Sequence, residues 1–239
     1  MRRLSGLVVL ILFLASASSA SALTVAAGAG YQRLVTELAQ AYEASGHPQV
    51  DRIFGNMGQV VSQAKASGLV DVVVGDQGFL EKSGLPFAGF SEIGRGRLVL
   101  ALAKGVSLKD PAELAQARFT RVAMPDPAKA IYGKAATEFL TATGLLPAVK
   151  AKLIQVATVP QVSAYLVSGE VEAGFENLTD AMGIQDKIGG YLLLDESRYA
   201  PIRIVGGVLN SAPDAAGAKA FAAFLETRAA REIAKRHGL

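Results

Sequence analysis

Short apolar runs alternate with stretches of helical spacing along most of the chain. The first run, Leu23-Thr24-Val25-Ala26, has the length and composition of a buried strand. It passes through Gly28 and Gly30 into a segment whose apolar positions are spaced as on one face of a helix. These positions are Tyr31, Leu34, Val35, Leu38 and Tyr42. The pattern therefore predicts a strand, a glycine turn and a helix over residues 23–44.

The same alternation continues to the C-terminus and predicts an α/β fold. Further strands are predicted over residues 50–54, 70–74, 93–103, 121–124, 153–156, 171–175, 191–194 and 202–209. Helices are predicted over residues 59–66, 79–82, 130–143, 160–167, 213–226 and 228–236, and another is predicted to begin at Pro111 with Asp110 as its cap. Because strands that alternate with helices usually form parallel sheets covered on both faces, mostly parallel sheets are expected.

Two of the β runs, residues 93–103 and 202–209, are expected to cross between two lobes. They bracket the middle of the chain, so lobe I is expected over residues 23–98 and 207–239, and lobe II over residues 99–206. Each lobe would contain a mostly parallel sheet flanked by helices. The cleft between two such lobes is the usual place for a small ligand.

The N-terminal residues have the pattern of a signal peptide. Arg2 and Arg3 precede a continuous apolar run over residues 7–14, and Ala20-Ser21-Ala22 fits the small-x-small pattern of a cleavage site. The apolar run is too short to span a membrane. We therefore expect cleavage after Ala22 and export of the mature protein to the periplasm.

Removal of that segment changes the charge of the chain. Lys and Arg fall from 24 to 22 against 21 acidic residues, which leaves a net charge of about +1. This balance, without a basic patch interleaved with aromatic residues, argues against binding to nucleic acid or to a membrane surface. The sequence has no cysteine, which excludes disulfides, thiolate metal sites and a cysteine nucleophile.

An enzyme is not expected. The two histidines, His47 and His237, are not placed for a nucleophilic triad. The Gly-x-Ser-x-Gly and His-Glu-x-x-His motifs are absent, and the sequence has no tryptophan on which a sugar substrate would stack. The sequence therefore predicts no catalytic residue, metal or cofactor.

Four turns that follow predicted strands carry glycines, amides or charges suited to a ligand. They are Gly28-Ala29-Gly30, Gly55-Asn56-Met57-Gly58, residues 126–129 and Glu176-Asn177. A single glycine turn is more often a plain chain reversal, but helix N-termini also expose backbone N–H groups that hold anions. Ligands of open α/β sheets lie beyond the carboxyl ends of strands, where all four turns are expected. Together they predict a small ligand in the cleft.

With these turns in place, the chain resembles the periplasmic molybdate- and tungstate-binding components of ABC importers, which have the type II solute-binding fold. The resemblance covers essentially the whole mature chain. It rests on residues 23–30, against the family's opening strand and Ala-Ala-Ala-Ser turn, and on residues 71–76, against its Asp-hydrophobic-Ser-Ala-Asp strand. Further matches are Asp126-Pro127 followed by Ile131-Tyr132-Gly133-Lys134, residues 167–174, and the closing stretch from Phe224-Leu225 to Gly238.

The resemblance implies a tetrahedral dianion as ligand, but this chain departs from the family at the ligand positions. The two serine donors of the family fall at Gly30 and Met57, and its tyrosine donor falls at Asn177. A backbone donor falls near Lys129, and another, at the start of a helix, falls at Val159. A buried dianion needs nearly every oxygen paired, so backbone N–H groups and amides must replace the missing hydroxyls.

Two ligand classes therefore stay open: an oxyanion of the molybdate or tungstate kind, and a different solute such as a metal ion, a metal complex or a small organic molecule. Gly30 enlarges the site and Glu176 favours positive charge, which supports the second class. The predicted ligand-binding residues are Gly28, Gly30, Tyr31, Asn56, Met57, Gly58, Lys129, Val159, Glu176 and Asn177. A monomer that closes around its ligand and docks on a membrane ABC permease is expected, with a ligand-sensing subunit of a membrane receptor as the alternative.

Overall fold

The computed structural model describes residues 22–239, which form two lobes, each built on a five-stranded sheet. The strands of the first sheet are β1 (Leu23–Gly28), β2 (Val50–Gly55), β3 (Val72–Asp76), β4 (Phe87–Gly96) and β10 (Ile202–Leu209). The strands of the second sheet are β5 (Leu98–Leu102), β6 (Val122–Pro125), β7 (Leu153–Val156), β8 (Ala173–Asn177) and β9 (Gly190–Leu193).

Helices pack on both sheets. The first lobe contains α1 (Gln32–Ala44), α2 (Met57–Ser67), α3 (Gln77–Glu81), α8 (Ala215–Leu225) and α9 (Arg228–Arg236). The second lobe contains α4 (Ile131–Ala142), α5 (Leu146–Val149), α6 (Val159–Ser168) and α7 (Leu178–Gly183). Short 3-10 turns occupy Ala29–Tyr31, Pro111–Ala115, Lys150–Lys152 and Glu196–Arg198.

The two sheets share one topology, with the orders β2-β1-β3-β10-β4 and β7-β6-β8-β5-β9. In each sheet three strands pair in parallel, and the next strand runs antiparallel to its neighbours on both sides. The two-lobed α/β architecture predicted from the sequence is confirmed, with the difference that the sheets are mixed rather than mostly parallel. The reason is that β10 and β5 each enter their sheet from the other lobe, without the crossover helix that aligns consecutive strands.

Two connections join the lobes. Only Arg97 separates β4 from β5, so one nearly continuous β segment passes from the first sheet into the second, as the apolar run over residues 93–103 predicts. The chain returns at β10, which pairs along its whole length with β3 and β4. Residues 202–206, which the sequence analysis placed in lobe II, therefore pair within the first sheet.

The helical spacing that begins at Tyr31 corresponds to the buried face of the first helix. Tyr31, Leu34, Val35, Leu38 and Tyr42 are all buried. The α-helix itself starts one residue later than predicted, because the 3-10 turn Ala29–Tyr31 precedes it. Burial of each large apolar side chain of this kind stabilises the lobe by about 1.5–3 kcal/mol.

Two features of the fold have no clear signal in the sequence. The strand β4 begins at Phe87, well before the predicted run, and its first half lies at the edge of the sheet, where Phe87 and Phe90 are half-buried and Ala88 and Gly89 are exposed. The helix α5 is a single turn, too short for a periodic signal.

The N-terminal segment lies outside the described residues apart from Ala22, and its cleavage stays a prediction. Within residues 22–239, no helix is both long enough and apolar enough to cross a membrane. Over the same span, no group of three or more metal-ligating side chains is placed to hold a metal ion.

Candidate ligand-binding site between the lobes

A small cavity lies between the two lobes, at the carboxyl ends of the strands. Its volume is about 30 Å³. Each lining residue lies in the first turn of a helical segment or immediately before it. The lining residues are Gly28, Ala29, Gly30 and Tyr31 before α1, Gly55, Asn56 and Met57 at α2, Ala130, Ile131 and Tyr132 at α4, and Thr158 and Val159 at α6.

Local sequence explains why these helices start at the cavity. The strands β1 and β2 each end at a glycine, and a helical turn follows within a residue. Asn56 caps α2: its Oδ1 accepts a hydrogen bond from the N–H of Gln59 at 2.9 Å, and Gln59 Oε1 accepts one from the N–H of Asn56 at 3.0 Å. In the second lobe, Asp126 stabilises the turn before α4 by accepting a hydrogen bond from the N–H of Ala128 at 2.9 Å. Asn56 therefore sets where α2 begins, whereas α4 begins after the Asp126 turn without a side-chain cap of its own.

None of the described residues that line the cavity has a charged side chain, so its electrostatics depend on the helix N-termini around it. Backbone N–H groups in a first helical turn have no partner within their own helix. Each helix dipole adds the equivalent of about half a positive charge at its N-terminus. Four N-termini meet here, two from each lobe, which is an arrangement suited to a small anion held by backbone N–H groups.

Two tyrosines join the lobes at the cavity. The hydroxyl of Tyr31, in the first lobe, forms a short hydrogen bond with the hydroxyl of Tyr132, in the second lobe. Both side chains are buried. Burial is the main reason why the pKa of each phenol lies above its ordinary value, so both hydroxyls stay protonated at physiological pH. They are therefore neutral groups that remain able to donate hydrogen bonds.

Asn177 also joins the lobes. Its Nδ2 donates a hydrogen bond to the carbonyl oxygen of Gly30 at 2.9 Å, and its Oδ1 is buried without a hydrogen-bond partner among the described residues. A Cβ atom on Gly30 would lie 2.8 Å from that Oδ1 and 3.1 Å from the Cβ of Val159. Glycine at position 30 is therefore what allows Asn177 and Val159 to approach the first lobe this closely.

Met57 fills the side of the cavity in the first lobe. Its side chain is buried, and its Sδ lies 3.2 Å from the position of a Cβ on Gly28. A Cβ on Gly75 would lie only 2.6 Å from the Met57 Cε. The thioether thus packs over two glycines of adjacent strands, where it contributes apolar surface rather than a hydrogen-bond donor.

Gly58 and Lys129, both predicted to bind the ligand, lie beside the cavity rather than in its wall. The N–H of Gly58, expected to donate to the ligand, instead donates to the carbonyl oxygen of Lys129 at 3.2 Å, which is another contact between the lobes. The Lys129 ammonium is exposed and lies 3.5 Å from the Asp126 carboxylate. Both residues line a neighbouring open groove of about 420 Å³.

Glu176, also predicted as a ligand residue, is fully buried away from the cavity. Its Oε2 lies 2.6 Å from the Ser163 hydroxyl on α6, and its Oε1 has no hydrogen-bond partner among the described residues. Side chains alternate between the faces of a strand, so Glu176 lies on the α6 side of β8, opposite Asn177 and Phe175. Burial raises the pKa of Glu176 to about 8, although Ser163 and Arg33 lower it in part.

The structure thus brings together six of the ten predicted residues in the cavity wall: Gly28, Gly30, Tyr31, Asn56, Met57 and Val159. It adds residues that sequence reasoning did not select: Ala29, Gly55, Ala130, Ile131, Tyr132 and Thr158. Tyr132 is the most informative addition, because it is the partner of Tyr31. Its position in the first turn of a helix that follows a strand was the available signal.

Comparison with known proteins agrees with this architecture. The family model described as bacterial extracellular solute-binding protein matches residues 23–239. The molybdate-binding protein ModA of Azotobacter vinelandii is 30% identical over 232 residues, covering 94% of this chain and 92% of that protein. ModA of Rhodobacter capsulatus is 25% identical over 236 residues, covering 96% of this chain and 92% of that protein.

A solved structure shows the same fold. The periplasmic molybdate-binding protein of Azotobacter vinelandii superposes with a TM-score of 0.82 at 26% identity, covering 90% of this chain and 97% of that chain. The resemblance to periplasmic molybdate-binding proteins stated from the sequence is thereby confirmed. Since the family model spans all of the chain that follows the predicted signal peptide, the chain belongs to the family of bacterial extracellular solute-binding proteins.

Proposed function

We propose that this protein captures a tetrahedral oxyanion of the molybdate or tungstate kind between its lobes and delivers it to a membrane ABC permease. The observation that carries the proposal is the meeting of four helix N-termini at one cavity without a charged side chain in its described wall. Backbone N–H groups of Gly30, Tyr31, Met57, Ile131 and Val159 are the proposed donors. They replace the side-chain hydroxyls that the resembling family would present.

Asn56 and the two tyrosines add side-chain donors to this set. The Oδ1 of Asn56 is occupied by the N–H of Gln59, which orients the amide and leaves Nδ2 as the donor that a ligand would meet. The hydroxyls of Tyr31 and Tyr132 stay protonated and bond to each other across the closed cleft, where one O–H of the pair remains free to donate to a ligand. Ligand binding and lobe closure are coupled in this way.

The cavity favours a compact ligand over a large organic solute. Its volume of about 30 Å³ is small, which matches a compact ligand better than a solute of many heavy atoms. A large solute would hold the lobes apart and lose the contacts that Gly30 and Gly58 make across the cleft. Glu176, which supported a cationic ligand in the sequence, lies outside the cavity wall. These points support the oxyanion over the alternative of a changed ligand.

A thermal-shift experiment on purified residues 23–239 tests the ligand. Molybdate and tungstate are compared with sulfate, phosphate, divalent metal ions and small organic solutes. At about 100 times its dissociation constant, the true ligand should raise the free energy of unfolding by about 2.7 kcal/mol, a rise of several degrees in melting temperature. No rise with molybdate or tungstate, together with a rise for a metal ion or an organic solute, contradicts the oxyanion.

Replacement of a backbone donor tests the site. Val159→Pro removes one N–H at the first position of α6, where proline is tolerated, and should weaken oxyanion binding. Arg228→Pro makes the same change at the first position of α9, in the first lobe and outside the cavity wall, and serves as the matched control. Equal affinities of the two variants, measured by calorimetry, would count against backbone donation from Val159.

Export to the periplasm and delivery to a permease complete the proposal. The family is one of extracellular solute-binding proteins, which supports cleavage of the leader after Ala22 and a small-molecule cargo. Inspection of the neighbouring genes tests delivery: if genes for an ABC permease and its ATPase are found there, delivery is supported. A receptor gene in their place supports the alternative of a ligand sensor. N-terminal sequencing of the exported protein tests the cleavage position.

A further inference from the structure

A buried polar cluster, separate from the ligand cavity, also joins the two lobes. It consists of Glu176, Ser163 and Asp180 in the second lobe and Arg33 on α1 in the first, and we call these four residues the proton latch. Ser163 Oγ contacts Glu176 Oε2 at 2.6 Å and also hydrogen bonds with Asp180 Oδ2. Arg33 Nη1 donates to Asp180 Oδ1 at 3.1 Å and to the Asp180 carbonyl oxygen at 3.2 Å.

The contacts around Ser163 require a proton on a carboxyl group. Its Oγ is close to three acceptor oxygens, Glu176 Oε2, Asp180 Oδ2 and the carbonyl oxygen of Val159 at 3.4 Å. A serine hydroxyl has one hydrogen and therefore donates one hydrogen bond. At least one of the two carboxyl contacts must be donated by the carboxyl group itself. At least one carboxyl of the pair is therefore protonated in this conformation.

The proton belongs on Glu176. This side chain is 0% exposed, and its Oε1 has no hydrogen-bond partner among the described residues. A buried carboxylate with an unpaired oxygen is costly, whereas the carbonyl oxygen of a neutral carboxylic acid is tolerated more easily. Burial also raises the pKa of Asp180, but this carboxyl faces the Arg33 guanidinium, which opposes the rise and favours the ionised form. The chain of donors thus runs from Glu176 to Ser163 to Asp180, with Arg33 donating to Asp180 from the other lobe.

Arg33 reaches this cluster because α7 ends at a glycine. A Cβ on Gly183 would lie 1.8 Å from Arg33 Nη1. The guanidinium therefore occupies the space that any other side chain at position 183 would need. This close approach ties the first lobe to the buried carboxyl pair.

The other titratable groups near the latch leave this assignment unchanged. Glu37 on α1, Lys187 beyond α7 and His237 after α9 line the same groove. Glu37 hydrogen bonds His237 at 2.7 Å, within the first lobe, so that pair does not join the lobes. The strands β5 and β6, which flank β8, contain no ionisable side chain, and α6 contributes Tyr165 alone. On the other face of β8, α4 packs through Phe139 against Phe175.

We propose that the proton latch binds one proton when the lobes close, so that ligand capture is accompanied by proton uptake and closure weakens as the pH rises. This inference rests on the proposed function for its ligand measurement, whereas its closure measurement stands without a ligand. The proton resides on Glu176 Oε2 in the closed form. It is released to water when the lobes separate.

The direction of the pH effect follows from linkage. The pKa of Glu176 is about 8 in the closed form, mainly because of burial, against an ordinary value of 4.5. When the lobes open, the turn Ala29–Tyr31 no longer packs on α6 and α7, which cover Glu176, so water gains access to the carboxyl and its pKa falls toward the ordinary value. The simultaneous loss of Arg33 acts in the opposite direction but is smaller, because burial is the largest cause of the raised pKa. Between these limits the closed form binds more protons, so closure is strongest at low pH and weakens as the pH rises to about 8. The change is at most about tenfold in the closure constant per pH unit.

The first measurement follows closure without ligand. Gln40 on α1 and Val167 on α6 line opposite sides of the groove of about 950 Å³ between the lobes. The sequence has no cysteine, so Gln40→Cys and Val167→Cys can be labelled selectively for energy transfer. The distance between the two labels should increase from pH 6 to pH 9. Glu176→Gln, which stays neutral and keeps a donor for Ser163, should remove that increase. Glu170→Gln, an exposed change in the same lobe, should retain it.

The second measurement counts protons during ligand binding. Calorimetry with molybdate at pH 7, in two buffers of different ionisation enthalpy, should show uptake of close to one proton by the unsubstituted protein and none by Glu176→Gln. Uptake near zero in the unsubstituted protein overturns the inference, even where the variant fails to fold. Absence of molybdate binding contradicts the proposed function instead. The closure measurement then tests the inference by itself. A distance between the two labels that does not change with pH overturns the inference.

Discussion

At the scale of single residues, the closed cleft depends on contacts that leave almost no spare room. The paired hydroxyls of Tyr31 and Tyr132 and the bond from Asn177 to Gly30 each join one lobe to the other. These groups are buried, so removal of one partner leaves the other without a hydrogen bond. Only glycine fits at position 30 in this conformation, since a Cβ there has no space.

Tyr31→Phe should lower the free energy of unfolding by about 1–3 kcal/mol, because the buried Tyr132 hydroxyl loses its partner. Tyr132→Phe should have a similar effect for the reciprocal reason. The double variant should lose clearly less free energy of unfolding than the two single variants together, since neither hydroxyl is left without a partner. Urea unfolding of all four proteins measures the coupling. Strictly additive losses would show that the two hydroxyls do not depend on each other.

Gly30→Ser should weaken oxyanion binding at least about tenfold, equivalent to about 1.4 kcal/mol, because its Cβ would lie 2.8 Å from Asn177 Oδ1 and hold the lobes apart. Asn177→Ala in the same protein should recover part of the affinity by removing that oxygen. Calorimetry with molybdate measures both. Gly89→Ser is the matched control, since a Cβ there meets nothing within 4 Å. An unchanged affinity of Gly30→Ser would refute the steric argument.

At the scale of elements, the site is made by equivalent turns of two lobes with the same topology. In the first lobe the turns after β1 and β2 start α1 and α2, and in the second lobe the turns after β6 and β7 lead to α4 and α6. Parallel strands end on the same edge of their sheet, so each lobe presents two helix N-termini to the cleft. The paired topology therefore explains why four N-termini meet there.

Asn56→Ala should destabilise the protein by about 1 kcal/mol, because α2 loses its capping hydrogen bond from the N–H of Gln59. It should also weaken oxyanion binding, since the amide lines the cavity. Thr227→Ala removes the corresponding cap of α9, where Thr227 Oγ1 accepts from the N–H of Ala230, and should lower stability alone. Thermal unfolding and calorimetry separate the two effects. Equal affinities in both variants would exclude Asn56 from the ligand site.

At the scale of the whole molecule, the relation between the lobes depends on the crossing from β4 to β5. Gly96, the last residue of β4, lies directly beneath the tyrosine pair: a Cβ there would lie 2.3 Å from the Tyr132 hydroxyl and 2.8 Å from the Tyr31 hydroxyl. The crossing strand therefore contacts the tyrosine pair that joins the lobes at Gly96. Substitutions at Gly96 should alter the angle between the lobes.

Gly96→Ala should separate the lobes and lower the melting temperature, since the added methyl overlaps the Tyr132 hydroxyl. Small-angle X-ray scattering should show a larger radius of gyration than in the unsubstituted protein. Tyr132→Phe added to this variant should restore a more compact form by removing the overlapping oxygen. Gly89→Ala, in the same strand with open space around it, should leave the radius unchanged. The same radius in both glycine variants would contradict the role of Gly96.

The site shows which residues sequence reasoning can select. Gly28, Gly30 and Asn56 were selected because glycines and helix starts after strands have local signals, Val159 was selected through the family resemblance, and all four line the cavity. Tyr132 has the same local signal as many core residues, so only its contact with Tyr31 distinguishes it. That contact joins residues about a hundred positions apart, a relation that no local pattern contains.

The sequence by itself determined the α/β alternation, the two crossing β runs and the helix starts, because hydrophobic spacing, glycines and capping residues act over a few neighbours. Tertiary structure decided which of those starts face one another and where each side chain lies. Glu176 illustrates the difference, since alternation along β8 directs it to Ser163 and Asp180 rather than to the cavity. Such pairings depend on how two sheets pack and close, and their energies come from burial that exists only in the folded chain.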